Sequence, residues 1–282
     1  MSNPHSQALL SMENVSKVFQ TRRALSFCTP AVRPAVTDVS LKLYAGETLG
    51  LVGESGSGKS TLGRLALNFL APTRGCIFFE GVDHKDRHGP HDRDLRRKMQ
   101  MIFQDIHGAL DPRWSVGAQL REPLDIHRIG VKAERRERAA AMMRRVGLDP
   151  DLMARRPSGL SGGQRQRVVI ARAMMLEPGL IVCDEPVSAL DLSVQARIMD
   201  LLKSLQAETG TAFLFISHDL RVVRRLAGRV AVLKAGRIVE TGTTEKVYGQ
   251  PEHDYTRRLL HAAGFGRPRR ELSGHQILAG VR

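Results

Sequence analysis

The sequence predicts an α/β protein in which a parallel sheet carries an inserted helical subdomain and a small β subdomain, and three features predict it. The apolar run LGLVG enters a glycine-rich turn and leaves it as STLGRLALNFL, so a strand, a loop and a helix follow one another until Pro72. After residue 160 the apolar runs GLIVCDE, TAFLFIS and RVAVLKAGRIVE alternate with the helical stretches RQRVVIARAMM and VQARIMDLLKSLQAE, the order that builds a parallel sheet with helical crossovers. Between these parts the chain turns charged and helical, with AERRERAAAMMRRVGL the clearest stretch and Gly147 as its C-cap.

Upstream of the glycine turn, LLSMENVSKVF alternates apolar and polar residues as a half-buried strand does, and VTDVSLKLYAGETLGLVG reads as two more strands about a turn at Gly46. QTRRALSFCTPAVRP between them reads as a loop. One domain is expected over residues 8–262: an α/β core at about 8–86 and 162–240, the helical subdomain at about 87–161 and a C-terminal segment at about 241–262, followed by a basic tail at 263–282. With 282 residues, 42% of them hydrophobic, the chain can bury a core of that size.

Composition narrows the function classes. No run of about eighteen apolar residues occurs and the start, MSNPHSQ, lacks the order of a secretory signal, so membrane attachment is expected only through a partner. The three cysteines, Cys28, Cys76 and Cys183, form no CxxC pair, which argues against a disulfide framework and for a reducing cytoplasm. The net charge of +14 is spread through several segments and aromatics make up only 5%, a pattern of a solvated or lipid-facing surface rather than of a nucleic-acid partner.

GESGSGKST at residues 53–61 satisfies G-x4-G-K-[ST]. The glycines Gly53, Gly56 and Gly58 let the backbone turn its N–H groups around phosphate oxygens at a helix N-terminus, so the ATP-binding segment is expected to be Gly53, Glu54, Ser55, Gly56, Ser57, Gly58, Lys59, Ser60 and Thr61. Lys59 suits the terminal phosphates, Ser60 offers a hydroxyl to magnesium and Thr61 adds a further phosphate contact. The strand, loop and helix resemble a phosphate-loop (RecA-like) nucleoside triphosphatase core. The dinucleotide pattern G-x-G-x-x-G fails, because its sixth place counted from Gly56 is Thr61. Downstream, GLIVCDEP ends an apolar strand in two carboxylates that alternation sends in different directions. Asp184 suits a magnesium contact and Glu185 can polarise a water in line with the γ-phosphate, which makes the chain a hydrolase rather than a binder. Cys183 reads as core filling.

LSGGQRQR at 160–167 separates one group from other phosphate-loop ATPases, and over nearly its whole length the chain resembles the ATP-binding-cassette family. The resemblance implies that Ser161, Gly162, Gly163 and Gln164 cap, in trans, ATP held by another subunit. It also implies roles for Gln104 in MIFQD, as a catalytic residue and magnesium contact linked to a permease, for Asp191 in SALD at the subunit seam, and for His218 in ISHD beside the γ-phosphate. Phe19 stands where the family stacks an aromatic on adenine.

Within the family the chain is similar to the ATPases of dipeptide, oligopeptide and nickel importers in its Phe19-to-Val36 loop, ALDPR at 109–113, DEPVSALD at 184–191 and VYGQPEHDYTRRLL at 247–260. DIHGALDPR departs from the many relatives that carry a proline soon after the glutamine loop, and with no cysteine beyond 183 no iron–sulfur centre is expected. His84, His88 and His91 match no ligand spacing and read as a polar surface loop. The resemblance further implies ATP and magnesium as cofactors and two transmembrane permease subunits as partners. A second cassette, the same or homologous, and indirectly an extracytoplasmic solute-binding protein complete the assembly, which lies on the cytoplasmic side of the inner membrane. Peptides lead as cargo, with nickel or another small solute as the alternative. A soluble ATPase of DNA repair or chromosome architecture is the rival reading; about 125 residues between Lys59 and Asp184 leave no room for its long coiled coil, and there is no zinc-type cysteine pair. Retention of Glu185 and His218 argues against a non-catalytic regulatory module.

Overall fold

The structure is a computed structural model that describes residues 7–19, 34–85, 90–188 and 190–265. Cys28, His88, most of the expected loop from Phe19 to Val36 and the tail beyond residue 265 lie outside the described residues, as does the side chain of His91.

A four-stranded antiparallel sheet has the order β2-β1-β4-β5, from β1 (Leu10–Val18), β2 (Pro34–Leu43), β4 (Arg74–Phe79) and β5 (Val82–Asp83). Alternation along β2 buries Val36, Val39, Leu41 and Leu43 and leaves the residues between them wetter, as a one-sided sheet requires. This is the small β subdomain. The six-stranded central sheet has the order β10-β9-β3-β8-β7-β6, from β3 (Thr48–Val52), β6 (Met99–Ile102), β7 (Leu180–Asp184), β8 (Ala212–Ser217), β9 (Arg229–Lys234) and β10 (Arg237–Thr243). Strands β3, β6, β7, β8 and β9 run parallel and β10 returns antiparallel. Every residue of β3, β7 and β8 is buried, which is why these strands are continuous apolar runs rather than alternating ones.

Successive side chains of the central sheet feed two different cores. Leu49, Leu51, Val182, Leu214 and Ile216 face the β subdomain and α1 (Lys59–Ala66). Cys183, Phe213, Phe215, Val230 and Val232 face α6 (Gly162–Met174), α7 (Leu192–Thr209) and α8 (Leu220–Leu226).

The helical stretch expected over about 87–161 is not continuous. Helix α2 (Pro90–Lys98) leads into β6, which pairs with β7 from Met99↔Leu180 to Ile102↔Cys183 and so belongs to the central sheet. Four residues, MQMI, directly after a charged helix have no periodicity of their own, so they read as part of the helix run. The helical subdomain follows β6: α3 (Ile106–Ala109), α4 (Val116–Ile126), α5 (Lys132–Arg145) and two 3-10 turns, Pro150–Ala154 and Pro157–Gly159. Val116, Leu120 and Leu124 of α4 are buried in one core with Ala139, Met142 and Met143 of α5 and Val168 and Val169 of α6. Gly147 follows α5 at φ 71, the left-handed geometry of a helix stop. RVAVLKAGRIVE, read as one strand, is the hairpin β9–β10; Ala235 and Gly236 turn it at φ 46 and 80, as a two-residue primed turn demands. The chain continues through α9 (Thr244–Gly249) and α10 (Asp254–Ala262). Among the described residues no helix is long and apolar enough to cross a membrane.

Candidate nucleotide site and carboxylate pair

The phosphate loop leaves the end of β3 and reaches α1 through Gly58, which caps the helix at φ 104. A Cβ on Gly58 would lie 2.3 Å from the Ala35 carbonyl oxygen, and one on Gly53 would lie 2.1 Å from that of Leu233, so backbone packing and dihedral both demand glycine. Gly56, at φ 77, faces open space. No acidic side chain occupies the first turn of α1, which leaves the helix N-terminus positive. Lys59 is buried and donates to the carbonyls of Gly53 and Glu54, both at 2.8 Å. Burial pushes its ammonium pKa down, against the pull of Glu185 and Asp184. Among the described residues the buried Ser57 hydroxyl has no hydrogen-bond partner. An unsatisfied hydroxyl inside a ring of turned backbone suits a phosphate oxygen.

Strands β8, β7 and β6 bring the remaining groups to the same edge of the sheet, where open parallel sheets hold their ligands. Asp184, at the end of β7, accepts from the Ser60 hydroxyl at 2.9 Å. Burial raises the Asp184 pKa; the Ser60 bond works against it. The two oxygen-bearing side chains already in contact suit a hard divalent cation, and magnesium fits this donor set. Glu185, the next residue, takes φ 50, an uncommon conformation for a residue with a side chain, and its N–H donates to Ile216 O at 3.0 Å. One carboxylate oxygen lies 2.9 Å from His218 Nδ1, beyond β8, and the other accepts from Gln104 Nε2, beyond β6, at 3.0 Å. Gln104, Glu185 and His218 thus meet although the sequence separates them widely.

Other expected site residues stand elsewhere. Ser161 caps α6, accepting from the Gln164 N–H at 3.3 Å, while the Gln164 side chain accepts from the Ser161 N–H at 2.9 Å. Gly162 and Gly163 open the same helix. Among the described residues no hydrogen bond joins these four to the phosphate loop. Asp191 is exposed at the start of α7, and Phe19 is exposed just past β1 with Lys17 Nζ 5.4 Å from its ring centre. Thr61 lies in the first turn of α1, and Glu54 and Ser55 are exposed on the loop. Sequence reasoning missed Tyr255, whose hydroxyl accepts from the Glu54 N–H at 3.1 Å; the two residues lie 201 positions apart, so no local spacing could announce the contact. It also missed a groove of about 600 Å³ beside Gln104, lined in part by Phe69, Met101, Phe103, Pro123, Ile126 and Leu176.

A glycine cradle, a Ser–Asp pair fit for a divalent cation and a carboxylate held from both sides at the ends of parallel strands define a phosphate-loop nucleoside triphosphatase. Residues 36–188 match the family described as ABC transporter, and the chain belongs to that family, as an ATP-hydrolysing cassette. It is 44% identical over 268 residues to the oligopeptide transport ATP-binding protein OppF of Haemophilus influenzae, covering 94% of this chain and 81% of that protein. It is 46% identical to the glutathione import ATP-binding protein GsiA of Pectobacterium atrosepticum over 97% of this chain and 44% of that longer protein. Among solved structures it resembles the dimeric cassette MJ0796 in a post-hydrolysis state bound to ADP and Pi, with a TM-score of 0.73 and 30% identity over 83% of this chain and 98% of that one.

Proposed function

We propose that this chain is the ATP-hydrolysing subunit of a peptide importer and that Glu185 activates the attacking water. The observation that carries the reading is the Glu185 carboxylate, held between Gln104 and His218 beside the phosphate loop. Two anchors fix a carboxylate whose task is to accept a proton from water, so little reorganisation is needed when the substrate arrives. In this account Gly53 to Thr61 bind the ATP phosphates and Lys59 turns its ammonium to the terminal ones. His218 contacts the γ-phosphate and Phe19 stacks on adenine. Ser60, Asp184 and the free oxygen of Gln104 would hold magnesium, which neutralises charge on the outer phosphates when bound.

Among the described residues Ser161, Gly162, Gly163 and Gln164 make no hydrogen bond to their own chain's phosphate loop, which supports their acting on a second cassette, with Asp191 at the seam. That second cassette is a copy of this chain or a homologue. Gln104 bonds to Glu185 and is the sequence neighbour of Phe103, which lines the apolar groove, and this continuity supports the groove as the seat for a segment of a transmembrane permease. Two permeases and, indirectly, an extracytoplasmic solute-binding protein complete the assembly, with this chain peripheral on the cytoplasmic side of the inner membrane and no nucleic acid involved. Peptide cargo rests on the likeness to OppF and GsiA.

The test is uptake of a labelled oligopeptide by cells lacking the chain. Wild type should restore uptake and Glu185→Gln should not; uptake undiminished by loss of the chain would refute peptide import.

A further inference from the structure

The C-terminal segment has no part in the phosphate chemistry, yet it reaches that site by a specific contact. Helix α10 is fastened to the central sheet by Glu240 of β10, whose carboxylate oxygens accept from the Glu252 and His253 N–H groups at 2.9 and 3.0 Å. His253 then caps α10, its Nδ1 accepting from the Tyr255 N–H at 3.0 Å. The clamp sets Tyr255, which is 4% exposed, against the start of the phosphate loop. Its hydroxyl accepts from the Glu54 N–H at 3.1 Å, and Lys234 Nζ lies 5.1 Å from its ring centre, within cation–π range.

Glu54 is the residue whose carbonyl accepts from Lys59. Its other neighbour, Gly53, packs against the Leu233 carbonyl, one residue before Lys234. One residue of the loop is therefore gripped on both sides: its N–H by the C-terminal tyrosine and its carbonyl by the lysine meant for the terminal phosphates. A loop that binds through its backbone amides loses affinity when its conformation is left to fluctuate, because ordering it must then be supplied by binding.

We propose that Tyr255 is a positioning residue for ATP binding: its hydroxyl and its ring fix the start of the phosphate loop from the C-terminal segment, presetting the loop before nucleotide arrives. The inference rests on the reading of residues 53–61 as the ATP site. Tyr255 touches no phosphate in this account and acts through Glu54.

The test compares the full-length wild-type chain with Tyr255→Phe, which deletes the hydroxyl and keeps the ring over Lys234. The KM for ATP should rise about two- to tenfold, the range that one net hydrogen bond covers, while kcat at saturating ATP stays within about twofold. The nucleotide-free melting temperature should hold, and amide exchange should quicken in the peptide covering Gly53 to Gly56 but not in α1. An unchanged KM overturns the proposal. So does a KM change accompanied by a lower melting temperature and faster exchange throughout the chain, since that marks Tyr255 as a general packing residue. If wild type itself neither binds nor turns over ATP, the reading of the loop fails instead, and the two failures are told apart.

Discussion

Asp184 carries a cost that its position explains. A carboxylate buried at the end of β7 is easier to protonate than one in water, so the folded chain binds a proton at a pH where the unfolded chain has released it. Its contribution to stability is therefore present in acid and is lost as pH rises from the ordinary carboxylate value of about 3.9 through the raised pKa of the folded state. In the nucleotide-free chain, Asp184→Asn should melt higher than wild type at neutral pH, and the gap should close in acid. ATP turnover should be lost at the same time, because the amide cannot serve a cation as the carboxylate does. Equal melting temperatures at neutral pH would contradict the claim that function holds a destabilising charge here. Gly58→Ala should be harsher: with φ 104 and the Ala35 carbonyl 2.3 Å from the new Cβ, it should abolish ATP binding as measured by equilibrium titration.

At this scale the sequence was most readable where chemistry is local. The phosphate loop and the pair Asp184–Glu185 announce themselves by spacing. The meeting of Gln104 and His218 on Glu185 depends on three strand ends lying side by side, so only family resemblance could suggest those two residues. The Tyr255 contact with Glu54 joins residues 201 positions apart and left no local trace.

Among elements, the strands most easily read were those buried on both faces, because an unbroken apolar run such as AFLFIS cannot be an amphipathic helix. β6 was hidden for the opposite reason. Its four residues follow the charged helix α2 directly and gain strand structure only from pairing with β7. Helix α1 shows how packing overrides propensity. Alanine is a better helix former than glycine by about 1 kcal/mol, but a Cβ on Gly63 would stand 2.7 Å from Ile216 Cδ1 and 3.0 Å from Val182 Cγ1 on the strands beneath. Overpacking of this kind costs about 1–3 kcal/mol. Set against the helix-propensity gain, Gly63→Ala should thus lower stability by up to about 2 kcal/mol in denaturant titration, and a stabilised variant would show that α1 sits more loosely on the sheet than its contacts indicate.

For the whole molecule, the arrangement couples two surfaces through one strand end. Phe103, 43% exposed, lines the groove, and Gln104, the next residue, bonds to Glu185. A permease segment seated in the groove would lean on the carboxylate's anchor, and movement of the helical subdomain would reach the site by the same route. Ile126→Glu, at a position already 53% exposed, should leave ATP affinity unchanged while abolishing peptide uptake; normal uptake would place the permease elsewhere. The groove was invisible in sequence because its lining comes from the turn after α1 and from α2, β6, α3, α4 and α6, none of which is unusual alone.

The central claim is that Glu185 performs the hydrolytic step of a transporter ATPase. ATP turnover and ATP retention measured side by side, on wild type and Glu185→Gln assembled with their permeases, test it most directly. The account predicts that the variant retains ATP as tightly as wild type while turnover falls by about 10²-fold or more; turnover close to wild type with glutamine at position 185 would contradict it.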